Sequence, residues 1–116
     1  MKNIGLITER TLDELMNHGF TLVYLEDTGR DITMSLMYKD SAQKNVVSLE
    51  IVQGENEKRQ YYFTNRTKMS EDDWLDMTTT DQINEFEHSF ESLAYFARVI
   101  RPAVVKILSE EGLEEI

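Results

Sequence analysis

The sequence predicts one α+β domain over residues 1–116. Its expected parts are a four-stranded antiparallel meander, a short N-terminal helix and a long C-terminal helix, kinked at Pro102 and packed on one sheet face. Three observations predict this. Four runs of alternating apolar and polar residues lie between Phe20 and Thr64, separated by short intervals rich in turn formers. Apolar residues then recur at spacings of three and four from Ile83 to Ile107. Finally, 116 residues, 41% of them apolar, are enough for a single core and no more.

Thr8 to His18 reads as the first helix. Thr8 is a suitable N-cap, Ile7 and Leu12 occupy the two positions of a hydrophobic staple, and Gly19 suits the left-handed residue that ends a helix. Leu12, Leu15 and Met16 form its apolar stripe.

The strands are expected at Phe20–Glu26, Asp31–Lys39, Asn45–Gln53 and Arg59–Thr64. The intervals DTGR, DSAQK and GENEK are short enough for hairpins, so sequential antiparallel pairing is the simplest connection. Alternation puts Phe20, Leu22, Tyr24, Ile32, Met34, Leu36, Tyr38, Val47, Leu49, Ile51, Tyr61 and Phe63 on a core face. The opposite face, with Thr21, Val23, Leu25, Thr33, Ser35, Met37, Val46, Ser48, Glu50, Val52, Gln60, Tyr62 and Thr64, is mixed, as in a sheet covered on one side.

Ser70 followed by three acids resembles a capped start of a short helix carrying Trp74, Leu75 and Met77. In the long helix after it, Ile83, Phe86, Phe90, Leu93, Ala97, Ile100, Val104 and Ile107 define an amphipathic seam. Pro102 lacks a backbone donor and crowds the preceding turn, so a kink is expected there. Tyr95, Phe96 and Val99 lie outside the seam and widen the apolar arc. A helix apolar around so much of its circumference needs cover on a second side, from the N-terminal helix or from a second copy of the chain, with Tyr95, Phe96 and Val99 as subunit contact.

Charge is distributed unevenly. The net charge is −10, and from Met69 to Ala97 there is no Lys or Arg but eight acids: Glu71, Asp72, Asp73, Asp76, Asp81, Glu85, Glu87 and Glu91. On a helix, Glu87 meets Glu91 four residues on, and neither Glu85 nor Glu91 finds a base at that spacing. A self-repelling acidic face beside Trp74 suits a basic protein surface and repels nucleic acid and anionic membranes. The leading functional expectation is therefore a non-catalytic acidic interaction protein. Its partner-binding residues are Glu71, Asp72, Asp73, Trp74, Asp76, Asp81, Glu85, Glu87 and Glu91. Its sharpest form is a phage or mobile-element inhibitor that imitates nucleic acid before a nucleic-acid-handling enzyme or defence complex. The alternative is a homo-oligomeric assembly or adaptor protein that uses its C-terminal helix.

Signals for chemistry are sparse. There is no Cys, which excludes disulfides and thiol chemistry and agrees with a cytoplasmic protein. The N-terminus lacks the apolar run of a signal peptide, and no stretch is long enough to span a membrane. The two His are seventy residues apart, and His88 reads as a surface histidine. No glycine-rich phosphate loop, nucleophile elbow or calcium-loop pattern is present, so no catalytic residue, metal ligand or cofactor is assigned. The basic residues Lys58, Arg59, Arg66 and Lys68 gather near Tyr62, too few to overcome the overall charge for nucleic-acid binding.

Overall fold

The computed structural model describes residues 2–67 and 80–116. A small hairpin, β1 (Asn3–Ile4) and β2 (Ile7–Thr8), leads into α1 (Glu9–Asn17). Four strands follow: β3 (Phe20–Asp27), β4 (Ile32–Lys39), β5 (Asn45–Gln53) and β6 (Gln60–Asn65). The C-terminal part holds α2 (Thr80–Tyr95), a π-helical turn (Phe96–Ile100), α3 (Arg101–Glu110) and β7 (Glu114–Glu115). The short helix expected around Trp74 falls outside the described residues.

The fold is α+β, and β3 to β6 form the expected meander, each strand antiparallel to the next. The sheet has five strands rather than four, because β7 adds parallel to β6 with Gln60 opposite Glu114. The Glu114 and Ile116 amides donate to the Arg59 and Tyr61 carbonyls at 3.2 and 2.9 Å. Gly112, at φ +95°, turns the chain out of α3, and Leu113 is buried behind it. Two residues of strand are too few for any alternation to show.

Thr8 caps α1 as expected, its hydroxyl accepting from the Thr11 amide at 3.2 Å. The hairpin before it was not legible. It turns at Gly5, φ +61°, where an added Cβ would lie 2.8 Å from the Leu25 and Met34 side chains.

Cross-strand rows build the core face. Leu22, Leu36, Leu49 and Phe63 are consecutive partners across four strands, as are Phe20, Tyr38 and Val47 across three. Leu36, Leu49, Met34 and Ile51 are fully buried. Each such side chain is worth roughly 1.5–3 kcal/mol of transfer from water. In β3 the expected faces exchange after Leu22. A bulge at Val23 sets Tyr24 opposite Ser35 and Leu25 opposite Met34. Leu25 therefore joins the core side, while Tyr24 turns outward and its hydroxyl donates to the Glu26 carboxylate.

The C-terminal helical run covers the core face. Phe96, Ile100, Val104 and Leu108 are buried, together with Leu15 of α1. Phe96 sits among Phe20, Tyr38 and Phe63 with ring centroids 5.2–6.4 Å apart, in tilted or edge-on geometry. The irregularity expected at Pro102 takes the form of the π-helical turn before it, where the Arg101 amide bonds back to the Phe96 carbonyl. That five-residue step sits directly ahead of the residue that cannot donate.

The π turn also corrects the seam. Carried back from Ile100 at regular α-helical spacing, the buried stripe would run through Ala97, Leu93 and Phe90. The extra residue of a π turn rotates the preceding helix by about 100°. From the start of the turn backward the buried positions are instead Phe96 and Ser89; Leu93 stays half-buried against the core, while Ala97 and Phe90 are exposed. Ile83 and Phe86 have side chains outside the described set.

Candidate functional site

The geometry of α2 follows from how its inner edge is tied down. The β4–β5 turn begins at Asp40, whose carboxylate is almost completely buried. Its Oδ1 accepts from the Ala42 and Lys44 amides at 2.9 and 3.0 Å, folding the turn around itself. Its Oδ2 accepts from Ser92 Oγ at 2.8 Å and lies 2.7 Å from His88 Nε2. Burial pushes the Asp40 carboxyl up, but the Lys44 amide, the Ser92 hydroxyl and the His88 ring outweigh it and hold the group below its ordinary value. A carboxylate with four donors is a strong anchor, and two of those donors belong to α2.

This anchor was missed in the sequence. Asp40 stands in a turn motif, DSAQK, where an acid is ordinary, and only the π-turn rotation brings His88 to it. His88 is accordingly a partly buried docking residue and not a free surface histidine. The trio has the residue types of a hydrolase triad without its order. Ser92 and His88 both bind the same Asp40 oxygen, so no hydroxyl is handed to an imidazole base. A cavity of about 380 Å³ adjoins the anchor, lined by Gln43, Asn45, Arg66, Thr67 and Ser89 among others.

With His88, Ser89, Ser92 and Phe96 turned inward, the opposite side of α2 carries Glu87, Phe90, Glu91 and Tyr95. All four are exposed. Phe90, expected in the core, is 59% exposed, and Tyr95 is 49%. Val99, on the π turn, continues the stripe four residues beyond Tyr95 and is 48% exposed. Neither Glu87 nor Glu91 has a cationic partner among the described residues.

The expected partner-binding residues divide accordingly. Glu87 and Glu91 share this outer face. Asp81 and Glu85 stand on α2 with side chains outside the described set, and Glu71, Asp72, Asp73, Trp74 and Asp76 lie outside the described residues. Of the three expected subunit-contact residues, Tyr95 and Val99 are at the surface, whereas Phe96 is 5% exposed inside the aromatic cluster. The π turn explains the split, since it turns Phe96 inward where regular spacing would have placed Ala97. Sequence reading thus separated an acidic surface from an apolar one, and the structure merges them on one helix face.

Among the described residues no group of three His, Asp or Glu side chains could hold a metal ion, and no helix is long and apolar enough to cross a membrane. The fold and this surface define a small α+β protein with a solvent-facing acidic and aromatic helix. Comparison with protein-family models, with curated proteins and with solved structures gave no match.

Proposed function

We propose that this protein is a non-catalytic interaction protein that engages a basic protein surface through the outer face of α2. One observation carries the reading. The Asp40 anchor and the core hold α2 by its inner edge, while Glu87, Phe90, Glu91 and Tyr95 stand together in solvent. Large exposed aromatics beside acids that have no cationic partner among the described residues are suited to a partner that supplies Arg or Lys at a rim and a shallow apolar centre. The net charge of −10 would speed the encounter by long-range attraction. A phage or mobile-element inhibitor that occupies the nucleic-acid groove of an enzyme is the sharpest form of this reading, and a cytoplasmic location agrees with it.

The test is affinity capture from native extract with wild type and with the Glu87→Lys/Glu91→Lys variant, each at low and high salt. A partner retained by wild type, weakened by salt and lost from the variant supports the reading. A partner held equally by both proteins refutes it. Nuclease treatment of the extract then asks whether the captured partner was free of nucleic acid, as occupation of its groove requires.

A further inference from the structure

We infer that the outer face of α2 and the π turn also pairs with a second copy of this chain, the two helices running antiparallel. The face carries one base beyond its two acids. Arg98 is exposed on the π turn, its Nε resting 3.4 Å from the Ala94 carbonyl one turn back. It has no acid partner among the described residues. Along the helix the order is Glu87, Phe90, Glu91, Ala94, Tyr95, Arg98, Val99, with acids at one end and the base at the other.

Reversing one copy sets Arg98 of each chain alongside Glu87 and Glu91 of the other, twice by symmetry. A parallel arrangement would instead stack acid on acid and base on base. Ala94, small and near the centre, allows close approach of the two helices, and Phe90, Tyr95 and Val99 line the margins as apolar contact. The occupant is a second copy because this face is its own charge complement. Phe96, buried in the core, takes no part.

The contact is a single helix pair, at the small end of specific interfaces, so a weak and concentration-dependent dimer is expected. Such a dimer covers Glu87 and Glu91, so a basic partner would compete with it. That consequence rests on the reading proposed above; the self-pairing does not.

Sedimentation velocity from micromolar to millimolar protein tests the inference. Wild type is expected to move toward dimer with concentration. Arg98→Glu and Glu91→Arg are each expected to stay monomeric, with unchanged circular dichroism and melting. An equimolar mixture of these two variants should recover a dimer, since the two substituted positions then carry opposite charges across the contact and the remaining Arg98 still faces Glu87 and Glu91 of the other chain. A wild type that stays monomeric at the highest concentration overturns the inference, as does an Arg98→Glu variant that dimerises as well as wild type. Neither result bears on capture of a basic partner from extract, so the two readings fail separately.

Discussion

Arg59 binds Glu111 through its backbone: Nη2 donates to the Glu111 carbonyl at 2.6 Å, and Nη1 lies 3.8 Å from the Glu111 carboxylate. The same guanidinium donates to the Leu6 carbonyl at 2.9 Å. Glu111 in turn accepts from the Thr8 amide at 2.8 Å and from the Thr11 hydroxyl. One side chain just ahead of β6 thus ties the N-terminal hairpin to the end of α3, at the point where β7 leaves for the sheet. Replacing Arg59 by Leu leaves two carbonyls and a mostly buried carboxylate short of a donor. The expected loss is about 3 kcal/mol, the scale of breaking a buried charged network on one side. Arg59→Lys should recover only part, because one ammonium cannot reproduce the planar fork. Urea denaturation of the two variants beside wild type measures both, and equal midpoints for all three would refute the role.

Two glycines at positive φ allow a cleaner comparison. Gly5 and Gly29 both adopt left-handed backbone, at +61° and +87°. An alanine Cβ at Gly5 would meet Leu25 and Met34 at 2.8 Å, whereas at Gly29 nothing lies within 4 Å. The backbone cost of Gly→Ala is shared, on the order of 1 kcal/mol. Only Gly5→Ala adds a steric cost, of about 1–2 kcal/mol for overpacking. Thermal melts of the two single variants should therefore differ clearly, with Gly5→Ala the less stable.

Alternation and turn chemistry were enough to read the meander, because β4 keeps period two with one buried face and β5 keeps its core row, although Val46 and Ser48, expected on the mixed face, are buried as well. They failed where one residue changed the phase. Val23 bulges from β3 and exchanges Tyr24 with Leu25, yet it is an ordinary strand residue with no sequence mark. The π turn does the same to the helix, exchanging Phe90 with Phe96. Here a signal existed in Pro102, but a proline predicts some irregularity nearby without saying that it inserts a residue. The acidic surface was legible as composition alone. Its geometry depends on Asp40, Ser92 and His88, whose joint role appears only once the phase is known. β7 and the first hairpin are two-residue pairings fixed by tertiary contact, beyond the reach of any periodic pattern.

The Asp40 anchor predicts a pH dependence. Its folded carboxyl titrates below the unfolded value, so its contribution is present above the unfolded value and disappears as pH falls through the folded one. Asp40→Asn removes the charge and keeps the shape. It should be less stable than wild type near neutrality, since the donors from Lys44, Ser92 and His88 then meet a neutral oxygen or an amide. The gap should narrow as pH falls below the ordinary aspartate value of about 4 and close only once the folded carboxyl, titrating lower still, is also neutral. Denaturation curves for the pair across that range measure the gap, and a gap independent of pH would remove Asp40 as the titrating group.

The π turn makes opposite claims for two phenylalanines that regular helical spacing would rank the other way. Phe90 stands at 59% exposure and Phe96 at 5%, the latter in contact with three aromatic rings. Phe96→Ala should cost about 3–5 kcal/mol, because it removes a large buried side chain and leaves a cavity between sheet and helix. Phe90→Ala should change stability by less than about 0.5 kcal/mol, as surface substitutions do. The same Phe90 variant should weaken any contact made by the outer face of α2. Stability and binding therefore separate on neighbouring turns of one helix. If Phe90→Ala proved the more destabilising of the two, the π-turn phase would be wrong, and with it the placement of Glu87 and Glu91 on the free face.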